Sequence, residues 1–218
     1  MANPVTHIIL ALQILHLLPP SVDHKAFLVG TVFPDIRYLA QIAREKTHIE
    51  PVSLDAVMLE PSSFRAGMLF HNLVDLIRIE QLEHHFYDRS KLDQYTPLYI
   101  KLFPLMQKTA EDNVLYTKTE NWEEIISYFD TIYQEELDFG VSEETAQTWH
   151  TLIQTYIKQQ TSTAAIAEFV VGNIFENIEQ FDPCVAFHNL IQSSEFQEKV
   201  ELFYKNFPQY AREFGSEK

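Results

Sequence analysis

Five glycines are all that this chain offers for tight reversals. Two-residue hairpins depend on residues that accept positive φ, so hairpin chemistry is nearly absent. Apolar residues instead recur at intervals of three and four through long segments, the period of helices with one face in a core. The expected fold is all-α, a multi-helix bundle forming a single domain over residues 1–218. Helices are expected over 4–18, 23–31, 35–45, 63–87, 97–118, 121–138, 142–159, 163–179 and 194–206, punctuated by Pro34, Pro51, Pro61, Pro97, Pro104, Pro183 and Pro208. The run "AIAEFVVGNIF" carries Val170, Val171 and Ile174 and suits a buried strand as well, but its neighbours favour helix.

A hydrophobic content of 46% lets 218 residues bury a sizeable core. Sixteen basic against thirty-one acidic residues give a net charge of -15, which repels polyphosphate backbones and anionic lipid surfaces unless bound cations reverse the field locally, so nucleic acid is not an expected partner. One cysteine, Cys184, excludes an internal disulfide framework and suits a reducing compartment; in "FDPCVAFHNL" it reads as a small buried hydrophobe rather than a nucleophile. The apolar opening lacks a basic n-region, carries His7, Gln13 and His16, and ends at Pro19-Pro20 without a small-residue cleavage site. It reads as a first helix of a cytoplasmic protein. No stretch reaches the roughly eighteen apolar residues of a membrane span.

In "MANPVTHIILALQ", Asn3 and Pro4 stand as N-cap and first helical position, and His7 falls in the first turn beside residues bound for the core. A neutral histidine bonded to a backbone carbonyl is one reading, a ligand the other. Further along, a helix beginning at Ser62-Ser63 contains His71 and Asp75 four residues apart, one turn above each other on one face. His84, His85 and Asp88 lie about 21 Å farther along such an axis and cannot share an ion with His71; they suit the helix dipole and solvent. In "FLVGTVFPDIRYLAQIAREKTHIE", Asp35 follows a proline at a helix start and His48 closes the segment. Two imidazoles and two carboxylates form a donor set suited to zinc or a similar divalent ion. Arg37 and Arg44 flank the motif as phosphate binders or as ion-pair partners of the abundant acids.

The pieces "NPVTHIILA", "FLVGTVFPDIRYL", "REKTH" and "FRAGMLFHNLVD", in that order, resemble the zinc-dependent phospholipase C and single-strand nuclease superfamily, especially its short bacterial members. The resemblance covers about residues 1–90 and implies the helical fold of that superfamily. It implies that Asp35, His48, His71 and Asp75 surround one zinc. It also implies that His7 and the chain's amino terminus hold another, with Asp75 as the bridge. Members with a trinuclear centre place a histidine six residues after the helical aspartate, where Gln81 stands here. They also carry a later histidine and carboxylate four apart; His150 is followed by Gln154 and His188 by Gln192, and Glu176 or Glu179 is the remaining source of a carboxylate.

Other chemistries find less support. There is no His-Glu-x-x-His, no adjacent His-Asp pair, a single Glu-x-x-His at Glu45 to His48, no glycine-rich phosphate loop and no Gly-x-Ser-x-Gly elbow. The expected function is therefore a zinc-dependent hydrolase acting on small or lipid phosphoesters, with Asp35 as both ligand and base. The alternative is a non-catalytic helical binding or structural protein that keeps one structural metal.

Overall fold

The computed structural model describes residues 3–83, 97–160 and 183–215, and these form helices with no strand among them. The helices are α1 (Pro4–Ile14), α2 (His24–Val32), α3 (Arg37–Ala40), α4 (Arg44–Thr47), α5 (Leu54–Leu59) and α6 (Ser63–Arg78). They continue as α7 (Pro97–Leu115), α8 (Trp122–Ser127), α9 (Gln134–Asp138), α10 (Glu143–Gln159), α11 (Pro183–Gln192) and α12 (Ser194–Glu213). Buried apolar residues from Val5 to Ala211 form one cluster.

Three helices are buried almost all round and make the centre of that cluster. In α1 the run Val5 to Ala11 is buried without interruption, in α2 Ala26 to Val32, and α6 is buried from Ala66 to Asp75. A helix with no polar face belongs inside a bundle. The amphipathic α10 and α12 show their charged faces to solvent and bury Trp149, Ile153, Phe196 and Phe203.

The crossing of α2 over α6 is at backbone contact. A Cβ on Gly30 would stand 2.1 Å from the carbonyl oxygen of Phe64, and one on Gly67 would stand 2.2 Å from that of Phe27. Only glycine permits this approach. Its consequence for the site is that the Thr31 carbonyl reaches the side chain of His71.

Several expected helices differ in their ends. The segment expected over 35–45 breaks in two, because Gln41 takes a left-handed φ of 55° and the Ile42 amide closes back on the Arg37 carbonyl. Gln is an uncommon residue there, so the reversal has no strong sequence mark. The 121–138 segment divides into α8, a 3-10 turn at Tyr128–Asp130 and α9, whose start is held by Glu136 accepting from the Tyr133 amide at 2.9 Å. The 4–18 helix ends at Ile14 in a 3-10 turn, and the 63–87 helix passes into a π turn at Ile79–Glu83.

Helices α5 and α11 are additions, each with a signal in the chain: the Ser53 hydroxyl accepts from the Ala56 amide, and Pro183 opens α11. Pro208 does not end a helix but lies inside α12. Proline leaves the carbonyl four residues earlier without its donor. Here that carbonyl, of Tyr204, accepts from Gln13 Nε2 at 3.1 Å, so α1 supplies the missing bond. The expectations for the 163–179 helix, for His84, His85 and Asp88, for Glu176 and Glu179, and for the Cys184 side chain fall outside what is described. Among the described residues no helix is long and apolar enough to cross a membrane.

Candidate metal centre

Five residues from four stretches of chain meet at the inner end of the α2–α6 crossing. His71 and Asp75 come from one face of α6, His7 from the first turns of α1, Asp35 from the 3-10 turn Phe33–Ile36, and His48 from the end of α4. The Gln41 reversal is what returns the chain so that His48 arrives beside Asp75. All five are buried: His7 1%, Asp35 6%, His48 9%, His71 0% and Asp75 7% exposed.

Asp75 is the hub. Its Oδ2 lies 3.7 Å from His71 Nε2 and 3.8 Å from His48 Nε2, and its Oδ1 lies 3.7 Å from His7 Nε2. These separations exceed hydrogen-bond length. Ligand atoms of His7, His71 and Asp75 fall within 4.8 Å of one another, as do those of Asp35, His48 and His71. The His7 and His71 rings stack with centroids 4.1 Å apart, and His48 meets His71 edge-on.

The outer hydrogen bonds fix which nitrogen faces inward. His71 Nδ1 is 2.9 Å from the Thr31 carbonyl, which can only accept, so Nδ1 carries the proton and Nε2 keeps its lone pair. His48 Nδ1 is 3.1 Å from the Thr47 hydroxyl. That hydroxyl gives its proton to the Arg44 carbonyl and so accepts from His48 Nδ1–H, again leaving Nε2 toward Asp75. Sequence reading found the five inner residues but not Thr31 and Thr47. Thr31 acts through a backbone carbonyl, which no residue type announces.

The electrostatics of the cluster turn on Asp75. Burial pushes the Asp75 carboxyl up, but interactions with His48, His71 and His7 outweigh it and hold the group well below the usual carboxylate range. Burial, joined by the neighbouring His71, pushes His7 well below 6.5, and burial also lowers His48 despite the nearby Asp75. Burial thus favours the neutral forms of His7 and His48 beside an ionised carboxylate. Both ring nitrogens of His7, Nε2 of His71 and Oδ1 of Asp35 are buried with no hydrogen-bond partner. Buried orphan donors and acceptors on this scale ask for an explanation, and a bound ion is one.

The donor set fits a divalent metal. Ligands at 2.0–2.2 Å from a tetrahedral zinc stand about 3.4 Å from one another, a few tenths closer than the 3.7 and 3.8 Å seen around Asp75. His71 offers a single inward nitrogen, so the two groups of three cannot each claim it for a separate ion. The two oxygens of Asp75 divide the centre: Oδ2 faces His48 and His71, Oδ1 faces His7.

Arg44 stands at the rim, 46% exposed, with one terminal nitrogen 3.9 Å from Asp75 Oδ2. Arg37, considered as an ion-pair partner, instead lays its guanidinium over the Tyr38 ring at 3.8 Å and donates to the Tyr38 hydroxyl. Gln81 lies apart from the centre, beside Ile77, Tyr210 and Phe214. Comparison of the chain with protein-family models, with curated proteins and with solved structures returns no match.

Proposed function

We propose that this protein is a zinc-dependent hydrolase of phosphoesters, related to the phospholipase C and nuclease superfamily that its first 90 or so residues resemble. The observation that carries the reading is the ionised, buried Asp75 ringed at 3.7 to 3.8 Å by three imidazoles, two of which, His7 and His48, burial holds below their ordinary value. Neutral imidazoles and ionised carboxylates are the forms that bind metal. Asp35, His48, His71 and Asp75 would hold one zinc, and His7 with Asp75 Oδ1 a second. Bound there, zinc would polarise a phosphoryl oxygen and lower the pKa of water to supply a nucleophile.

The chain's own groups supply the rest. Thr31 and Thr47 hold His71 and His48 in the ligating tautomer. Asp35, with one oxygen free of protein partners, serves as ligand and as base toward the attacking water. Arg44 presents positive charge at the rim for an anionic substrate. Exposed Tyr38, close enough to feel the charges of Arg44 and Asp75, puts a ring beside that rim and favours a small or lipid phosphoester over nucleic acid, which a net charge of -15 repels. A single cysteine fits a cytoplasmic setting.

The depth of the centre favours a second reading, a closed structural metal site in a non-catalytic helical protein. One set of measurements separates the two. Untagged protein is assayed for metal content and for hydrolysis of a small phosphodiester and of phospholipid vesicles, as wild type and His7→Ala. The hydrolase reading expects His7→Ala to lose activity while retaining one tightly held zinc. A wild type holding one metal and inactive on every phosphoester leaves the structural reading.

A further inference from the structure

His7 differs from His48 and His71 in one respect: neither nitrogen of its ring bonds to the protein. A side chain without an outer hydrogen bond must be aimed through its backbone. The start of α1 therefore sets its direction.

Helix α1 begins with three positions whose amides its own turns cannot serve. Pro4 has none to offer, and the amides of Val5 and Thr6 need an acceptor from outside. Asn3 occupies the N-cap position but makes no cap bond; its side chain donates instead to Thr109 Oγ1 at 3.2 Å and to the Tyr156 hydroxyl at 2.9 Å. The acceptor is Asp112, delivered by α7 from more than a hundred residues away. Its Oδ2 accepts from the Val5 amide at 3.2 Å, and its Oδ1 accepts from the Thr6 amide at 2.7 Å and from the Thr6 hydroxyl at 2.5 Å. The Tyr156 hydroxyl, from α10, donates to Oδ2 at 2.9 Å. Asp112 is 0% exposed, and its donors among the described residues are the start of α1 and Tyr156, which also holds Asn3.

We propose that Asp112 is the positioning residue for His7: as a cap supplied by another helix, it fixes the first turn of α1 and so aims the His7 imidazole at Asp75 Oδ1. A carboxylate at a helix N-terminus is favoured by the helix dipole and by the free amides together. His7 follows Thr6 directly, so any rotation or fraying of that turn carries its ring out of the stack on His71. The importance of this for metal binding rests on the hydrolase reading; the tether itself does not.

The experiment is carbethoxylation of the metal-free protein by diethyl pyrocarbonate at pH 8, above the value of about 7 to which burial raises Asp112, with labelled histidines located by mass spectrometry. In wild type, His7, His71 and His150 react slowly, being 1%, 0% and 0% exposed. Asp112→Asn keeps the shape but turns an amide toward donors, leaving at least one unpaired. His7 should then react about tenfold faster, the factor implied when one charge-assisted hydrogen bond is lost from a local opening. His71 and His150 should stay slow. If His7 keeps its wild-type rate, or if all three speed up together as for a protein merely destabilised, the proposal is overturned. Should Asp112→Asn not fold, Thr6→Val and Tyr156→Phe each remove one donor to the same carboxylate; unchanged His7 labelling in both overturns it equally. Zinc titration of the wild type is read separately. Failure there strikes the hydrolase reading and leaves the His7 labelling result intact.

Discussion

Two buried histidine clusters in this molecule use the same residue types and come out differently. His150 is satisfied on both sides: Nδ1 is 2.9 Å from the Phe129 carbonyl, and Nε2 is 3.0 Å from Glu136 Oε2. The other Glu136 oxygen accepts from the Tyr133 amide. Around Asp75 the nearest imidazole nitrogens stay at 3.7 to 3.8 Å, and four ring or carboxylate atoms of the cluster have no protein partner. A paired histidine and acid complete each other and hold helices together. An open set keeps its lone pairs for something else. Burial is common to both, so satisfaction, not burial, distinguishes a structural histidine from a ligand.

The scaffolds of the two clusters differ as well, and glycines beside each give the largest contrast. Gly67→Ala forces a Cβ to 2.2 Å from the Phe27 carbonyl oxygen and 2.7 Å from the Thr31 amide. Both are backbone atoms, so α2 and α6 must part and the Thr31 carbonyl must leave His71. The expected cost is at least about 4 kcal/mol or outright failure to fold. Gly140, near the paired cluster, has open space around it and only a φ of +81° to protect. Gly140→Ala should cost about 1 to 2 kcal/mol. Urea unfolding of the two variants checks this; equal losses would mean that the crossing can relax.

Next in size comes the pair His150→Leu and His7→Phe. Removing His150 strands Glu136, which is 0% exposed, and breaking such a buried pair costs about 3 kcal/mol. Removing His7 breaks no hydrogen bond, since neither of its nitrogens had a partner. In the presence of chelator, His7→Phe should leave stability unchanged or raise it by about 1 kcal/mol, because two unsatisfied buried atoms disappear. A His7→Phe loss as large as that of His150→Leu would show the two clusters to be equivalent and remove the basis for a metal centre.

The long helical periodicities and the Ser62 cap were enough to place α6, and the four-residue spacing of His71 and Asp75 to put them on one face. The Phe33-Pro34 start located Asp35. Less visible was everything that depends on distant chain. Gln41 turns left-handed without the glycine that usually marks such a turn. Asn3 and Pro4 do mark the beginning of α1, yet its cap comes from Asp112, whose neighbours in sequence say nothing of α1. Pro208 reads locally as a terminator and is accommodated because Gln13 reaches the Tyr204 carbonyl. Local signals specify elements; the site is assembled by contacts between elements.

The pH dependence of stability provides a smaller contrast. Burial holds His7 well below 6.5 in the folded chain, while in the unfolded chain it titrates near that value. As pH falls below 6.5 the unfolded state therefore takes up the proton first, and stability is lost. Asp112 works the other way: burial raises it from 3.8 to about 7, so between those values the folded chain holds the extra proton. The two offset each other in wild type. His7→Phe removes only the first, so its stability advantage over wild type should widen as pH drops below 6.5, by at most about 1.4 kcal/mol per unit. Parallel unfolding curves at pH 7.5 and pH 5.5 give the difference directly, and a constant gap would mean that His7 titrates alike in the folded and unfolded chain.

The smallest stability effect belongs to Arg44, where the two clusters differ in access. Glu136 and His150 are sealed at 0% exposure, whereas the Asp75 cluster reaches solvent past a guanidinium that is 46% exposed. At 3.9 Å from Asp75 and screened by water, that contact stabilises the fold by little, and Arg44→Ala should shift unfolding by less than about 0.5 kcal/mol. Its effect belongs in catalysis, if the rim receives an anion. Removing a charge that binds ground state and transition state alike raises KM and leaves kcat nearly unchanged. Arg44→Lys should recover part of the loss with a monoanionic phosphodiester, since a point charge replaces the planar fork incompletely. A drop in kcat at constant KM would instead place Arg44 against the reacting phosphoryl group itself. No change in either would assign it to the surface, and the open cluster would then admit its ligand without help from the rim.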